Sequence, residues 1–277
     1  MLAWIEKKVV DHLVKPKVPK VEILEVAPDP ASLTETLHPQ CLDHVAWDAA
    51  LRAAVSRGEN AGIQLNVVDY AQLAADERVA AYRERLAACD PESLSPNEQL
   101  ALYINAYNCF CAGLIAAHLQ KTGTLPDSIR KLGEAKKEVW DVVAGTIGGK
   151  ELTLNQIEHK ILRAKWREPR VHACIVCASI SCPDLRAEAF VAPRLNAQMD
   201  DQCRTWLANE RKGVAAAAGA LTVSRIFLWF HEDFEGKAGS VPKWLVGYAA
   251  GEAGALLGAE RPPSLKYFEY NWDLNGK

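Results

Sequence analysis

One segment, from Ser95 to Gln120, limits what this chain can fold into more than any other. Ser95-Pro96-Asn97-Glu98 is a helix start. Ser95 can cap, Pro96 fits the first turn, where a missing N–H costs nothing, and Glu98 can reach back in a capping box. The helix that follows is predicted from about Pro96 to Gln120. Leu100, Leu102, Ile104, Ala106, Phe110, Ala112, Leu114 and Ile115 spread apolar side chains round most of its circumference, so it must be buried on most sides. Asn105 and Asn108 sit three apart inside this apolar surface, on neighbouring parts of one face. Buried amides need hydrogen-bond partners. Either they tie down a neighbouring loop or they line a site.

The 277 residues suffice for one substantial core, or for a core with a helical appendage. A formal net charge of -3 gives no basic excess for nucleic acid. Charged residues are read as breaking every long apolar run, so no transmembrane segment is expected. Glu6, Lys7, Lys8 and Asp11 leave no signal-peptide core at the start, which points to the cytoplasm. Nothing in the sequence sets an oligomeric state.

The chain divides into residues 1–30, an N-terminal helix (Met1 to about Leu13) and an extended arm (Lys15 to Pro30), residues 31–94, a helical extension packed on the main domain, and residues 95–277, the main domain. From Ala31 to Cys89 the pattern is mainly helical, with Trp47, Leu51 and Val55 at four-residue spacing. Ile147-Gly148-Gly149-Lys150 predicts a tight hairpin, and Thr153 with Gln156 a second capping box opening a helix over Leu154–Lys165. Val171 to Ala178 is a near-continuous apolar run and predicts a central strand. Helices are expected over Leu195–Asn209, Arg225–Phe230 and Val241–Ala250, with strands at Leu221–Val223 and Tyr267–Trp272. The expected class is α/β (α+β), helices around a small mixed or antiparallel sheet.

The chemically unusual region runs from Glu158 to Cys182. On a helical wheel Glu158 falls within the apolar arc of Leu154, Ile157, Ile161 and Ala164, where a carboxylate must be paired or protonated. Arg163 is one partner for a buried ion pair. His159 lies a quarter-turn away, so the two are not a bonded pair by sequence alone. Along the predicted strand Cys177 falls near the carboxyl end, where α/β proteins place catalytic groups. His172 would be about 16 Å from it on a regular strand. His159 is therefore expected to be the base for a Cys177 nucleophile, with Glu158 as first choice and Asp273 as second to orient the imidazole, and His172 in a supporting role; the base and orienting roles could also fall to His172 and Asp273. The turn Ser179-Ile180-Ser181, with Asn105 or Asn108, could supply oxyanion donors. His172, Cys174, Cys177 and Cys182 also offer four soft ligands, but alternation would send Cys174 and Cys177 to opposite faces, against a zinc site. No cofactor is implied.

These residues carry a family resemblance. Tyr103-Ile104-Asn105-Ala106-Tyr107-Asn108, Ile147-Gly148-Gly149, Ile157-Glu158-His159-Lys160-Ile161-Leu162-Arg163, Arg170-Val171-His172, Cys177-Ala178-Ser179 and Tyr270-Asn271-Trp272-Asp273-Leu274-Asn275 resemble, in order, the domain of unknown function family numbered 547 over about residues 95–275. That resemblance implies a rearranged fold like that of papain-like cysteine peptidases or transglutaminases. It also implies a cysteine-dependent hydrolase or acyl transferase acting on an amide or thioester of a peptide or small acyl compound. Cys177 falls on its recurrent cysteine, Glu158 and His159 on its glutamate–histidine pair, and His172 on its other histidine. The alternative is a non-catalytic peptide-binding or scaffolding module that uses the same polar pocket, with Phe227, Trp229, Phe230 and Trp244 as a partner surface.

Overall fold

The computed structural model describes residues 21–29, 43–134 and 137–277. The helix expected over Met1–Leu13 lies outside them, as do both ends of the expected arm. Residues 21–29 have neither helix nor strand. Asn97 holds this segment by exchanging two hydrogen bonds of 2.9 Å with the backbone of Ala27.

The chain continues with α1 (Val45–Ala54), β1 (Val55–Asn60), β2 (Ile63–Val68), α2 (Tyr70–Ala75) and α3 (Glu77–Ala88). It then enters α4 (Pro96–Thr122), whose Ser95–Glu98 capping box forms in full. Next come β3 (Val143–Ile147), β4 (Lys150–Thr153), a π-helical segment (Gln156–Leu162), α5 (Arg163–Trp166) and α6 (Val171–Cys174). The remainder holds α7 (Leu195–Leu207), β5 (Val214–Ala217), β6 (Ala220–Val223), α8 (Ile226–Trp229), α9 (His231–Ala238), α10 (Val241–Val246), α11 (Gly251–Leu257) and β7 (Leu265–Tyr267). The result is a mixed α/β fold. Its strands form three small sheets rather than one: β1-β2 and β3-β4 are antiparallel pairs, and β5-β6-β7 is mixed, with β7 parallel to β6.

α4 is the post at the centre. Its positions from Asn97 through Ala112 are buried without a break. It is long and apolar enough to cross a membrane, with 78% of its most apolar window buried inside the protein. The reading that charges interrupt every long apolar run is thus corrected, since no charged residue falls between Glu98 and Lys121. One contiguous apolar core runs from Trp47 and Tyr82 through α4 to Phe234 and Leu274. The chain's end closes on its first hairpin: Val68 pairs with Gly276, and the Tyr70 hydroxyl bonds Asn275 at 2.7 Å.

Two further expectations need amendment. Residues 43–89 are mainly helical, as expected, but they also hold a hairpin that the helical pattern hid: β1 and β2 pair from Val55↔Val68 to Asn60↔Ile63. Their turn passes through Ala61 and Gly62 at φ 49° and 73°, and the β5–β6 turn through Ala218 and Gly219 at 50° and 72°. This two-residue geometry matches strand twist and normally calls for Asn or Gly at the first position. Alanine there hides the turn from sequence. The expected Gly148–Gly149 turn, at φ 56° and 73°, is present. The second correction concerns Val171–Ala178, which is a single helical turn followed by extended chain. The Asn108 side chain explains it: its amide donates to the Cys174 carbonyl at 2.9 Å and accepts from the Val176 N–H at 2.8 Å. It takes the backbone groups that a neighbouring strand would have used. β7 lies at Leu265–Tyr267, so it meets the expected strand Tyr267–Trp272 only at Tyr267.

Two predictions follow from this packing. Ala61→Asn relieves a left-handed strain of roughly 1–2 kcal/mol per residue, so urea denaturation should show a gain approaching 1 kcal/mol. Trp47 is fully buried and stacked on Tyr82. Trp47→Ala should therefore cost about 3–5 kcal/mol in a single cooperative transition. A main transition left unmoved would show that the segment before α4 is a separable appendage.

Candidate functional site

The residues singled out by sequence do meet, but in a different arrangement. A narrow cavity of about 40 Å³ is walled by Tyr107, Glu158, His172, Cys177, Cys182 and a group of aromatic rings, Trp140, Trp229, Phe230, Tyr270 and Trp272. α4 supplies Tyr107 and the π-helical segment supplies Glu158. A π turn shifts the helix face by one residue, and such turns recur at functional sites. α6 supplies His172, and the loop after it brings Cys177. The helical turn shortens the path between these two, so the separation of about 16 Å expected along a strand does not apply.

Cys177 lies in an unusual loop. Ala178 follows it at φ 62°, a costly conformation for alanine. The loop is pinned on the far side by Ile180 N–H to the Asp273 carbonyl at 2.9 Å, and by Asn275 N–H to the Ala178 carbonyl at 3.0 Å. The buried Lys212 ammonium donates to the carbonyls of Ile180 (3.2 Å) and Cys182 (2.7 Å) and to Asp184 Oδ1 (2.5 Å). The Cys177 sulfur is thus held in place, half-buried. Ser179 Oγ lies 3.2 Å from it and the Tyr270 hydroxyl 3.4 Å. Ser179 Oγ and the Tyr270 hydroxyl lie 3.0 Å apart, so the two hydroxyls and the sulfur form one hydrogen-bonded triangle. Hydrogen bonding from the Cys182 thiol, then from Ser179 and Tyr270, pulls the Cys177 thiol below its ordinary value despite burial, while burial pushes Cys182 up.

Glu158 is buried, and desolvation raises its carboxyl to about 7 against the pull of Arg163. The Tyr107 hydroxyl donates to Glu158 Oε2 at 3.3 Å. Glu158 does not pair with Arg163, which instead grips Asp233 through Nε (2.6 Å) and Nη2 (3.0 Å).

The two histidines differ in the ring nitrogen that each leaves free. Arg163 Nη1 lies 2.8 Å from His159 Nδ1. A guanidinium only donates, so Nδ1 accepts and the neutral ring carries its proton on Nε2. That Nε2 is buried without a partner. Burial, with Arg163 beside it, lowers His159 to about 3. It has no free lone pair to offer and is not on the cavity wall. His172 is on the wall. Its Nε2 lies 2.7 Å from Asp233 Oδ2, so Nε2 carries the proton and Nδ1 has the free lone pair. Its ring stacks on Phe230 with centroids 4.2 Å apart. Burial lowers His172 as well, while Asp233, held by His172 and Arg163, stays well below the carboxylate range.

The remaining expected residues serve as structure. Asn105 exchanges hydrogen bonds of 2.8 and 3.0 Å with the Phe190 backbone, and Asn108 holds the chain before Cys177. Both therefore tie down loops and neither lines the cavity. The Asp273 side chain is exposed, and only its backbone meets the Cys177 loop. It orients no imidazole. Of the proposed partner surface, Trp229 and Phe230 wall the cavity, while Phe227 and Trp244 are core. Among the described residues no group of three or more His, Cys, Asp or Glu side chains is placed to hold a metal ion. Asp233 was invisible in the sequence, 61 positions from His172 and in an ordinary surface-type helix. Tyr107 and Tyr270 stand inside motifs quoted above, but a tyrosine in an apolar run reads as core.

No curated protein and no solved structure matches the chain, so the fold has no papain-like or transglutaminase neighbour to set beside it. The family match begins where expected but stops earlier than the resemblance implied, leaving Asp233, Tyr270 and the closing motif outside it. Residues 91–207, which carry Glu158, His172, Cys177 and Cys182, match the family described as Protein of unknown function, DUF547.

Proposed function

We propose that the protein is a cysteine-dependent hydrolase or acyl transferase acting on an amide or thioester. The observation that carries this reading is one narrow cavity shared by a thiol with a lowered pKa and a carboxyl with a raised one. Environments that push two titratable groups apart assign them different chemical roles.

Cys177 is the nucleophile. His172 Nδ1, its ring oriented by Asp233 through Nε2, takes the thiol proton as sulfur attacks the acyl carbon. It passes that proton to the leaving amine or thiol, giving an acyl-enzyme. Water then adds to the thioester, His172 takes its proton and returns it to the departing Cys177 sulfur. With an acceptor nucleophile in place of water the same step is acyl transfer. Glu158 is the neutral acid. Its Oε2 accepts from Tyr107, which leaves a proton on Oε1 to donate to the developing oxyanion.

The pH dependence has a definite sign. Alkylation of Cys177 follows the thiolate, so a lowered pKa moves its midpoint below the ordinary value of about 8.5. Tyr270→Phe removes a donor and should move the midpoint up. Acyl turnover follows Glu158 in the opposite sense: the acid form acts, and activity falls as pH rises through about 7. We expect the protein to form an acyl-enzyme with p-nitrophenyl acetate, detected by intact mass, and Cys177→Ala to form none. Glu158→Ala should slow turnover by about 10²–10³-fold, whereas Glu158→Gln, which keeps a donor, should retain activity and lose the alkaline fall. His172→Ala should slow it by about 10²–10⁴-fold. A Cys177 thiol that titrates near 8.5 and takes no acyl group would refute the proposal.

A further inference from the structure

The proposed chemistry uses Cys177 and leaves Cys182 idle on the same cavity wall. Cys182 is free, 4% exposed, and five residues on from Cys177. The Cys182 N–H donates to the Ser179 carbonyl at 3.1 Å, closing a tight turn that folds the chain back. That turn places Cys182 Sγ 3.2 Å from the Cys177 backbone N, whose N–H donates to it. Lys212, through the Ile180 and Cys182 carbonyls, holds the turn closed from outside. A second thiol therefore packs against the Cys177 main chain, and both cysteines wall the same cavity within a single turn.

We infer that Cys177 and Cys182 form a peroxide-sensitive modification site, a reversible disulfide that closes the cavity to acyl substrates. This rests on the reactive Cys177 sulfur of the preceding section, but not on acyl chemistry. The Cys177 thiolate attacks the terminal oxygen of a hydroperoxide, ROOH. The O–O bond breaks, giving Cys177 sulfenic acid and RO⁻. The Cys182 sulfur then attacks the sulfenic sulfur, its proton leaves with the hydroxyl as water, and the S–S bond forms. Two thiols are oxidised, and one hydroperoxide is reduced to alcohol and water. An external dithiol reverses the step by exchange. Because Cys182 holds its proton until the sulfenic acid appears, it does not compete as the first target.

The sequence makes the test direct. Arg170 and Arg186 bound a tryptic peptide that holds Cys174, Cys177 and Cys182 together. The folded protein is treated with hydrogen peroxide, blocked with iodoacetamide and digested without reductant. We expect the peptide to become lighter by one H₂, with Cys177 and Cys182 losing alkylation in parallel and Cys174 keeping it after unfolding in blocking reagent. Dithiothreitol should restore both sites. Cys182→Ser should instead trap sulfenic acid at Cys177 as a dimedone adduct and proceed to irreversible sulfinic acid, while Cys174→Ser should behave as wild type. Sulfinic Cys177 in wild type with Cys182 still alkylated, no oxidation at all, or a bridge to Cys174 would each overturn the inference. The wild-type reading stands even if the Cys182 variant does not fold. Failure here is separable from failure of the proposed function: protein that turns over the acyl probe yet leaves Cys182 free refutes only the disulfide, and protein that bridges without acyl turnover refutes only the enzyme.

Discussion

The cost of an unpaired polar group inside an apolar core shapes this structure from α4 outward. A helix buried on nearly every side carries two asparagines, and each must find partners or destabilise the core by about 1–3 kcal/mol. Asn105 finds the Phe190 backbone, and Asn108 finds Cys174 and Val176. Because an amide both donates and accepts, each one fixes a segment in position and orientation. The segment fixed by Asn108 leads directly into Cys177. The central post and the reactive sulfur are thus linked by two hydrogen bonds, and removing them would release the loop as well as leave the amide unsatisfied.

A second set of polar groups works differently. Arg163, Asp233, His159 and His172 form a chain in which one guanidinium decides the state of two imidazoles. By donating to His159 Nδ1, it fixes that ring in the tautomer with no usable lone pair. By holding Asp233, it keeps the carboxylate ionised and turned toward His172 Nε2, which frees the opposite nitrogen. Adjacent histidines on a helix and a turn therefore take opposite roles, one a packed neutral spacer and one a base-competent ring. The unpartnered Nε2 of His159 is the cost of this arrangement, accepted in a region already bent by a π turn.

How much of this was legible follows from the range of each interaction. The α4 start, the Thr153–Gln156 box and the Gly148–Gly149 turn were readable because every partner lies within four residues. Glu158 and Cys177 were readable because polar or reactive groups inside apolar runs stand out. The strand at Val171–Ala178 was misread for a specific reason: apolar β-branched runs fit a strand or a buried turn alike, and an asparagine 68 positions earlier made the choice. The preference for His159 over His172 rested on the same strand, since the long separation of His172 from Cys177 existed only there. The Ala61 and Ala218 turns were hidden because alanine is tolerated there only under tertiary constraint.

The placement of Cys177 bears on which kind of thiol chemistry this cavity can support. In a thiolate–imidazolium pair the sulfur's charge depends on a cation beside it. Here burial keeps His172 neutral, and the sulfur is instead stabilised by neutral donors: the hydroxyls of Ser179 and Tyr270, the Ser179 N–H and the Cys182 thiol. A charge held by hydrogen bonds alone adds no positive field to the cavity. The aromatic walls add none either, and a neighbouring carboxylate would repel the thiolate. The raised carboxyl of Glu158 eases this conflict, because in its acid form a thiolate formed at Cys177 meets no second negative charge. In the proposed acyl chemistry the same acid would be the donor that meets the oxyanion as charge moves from sulfur to the acyl oxygen.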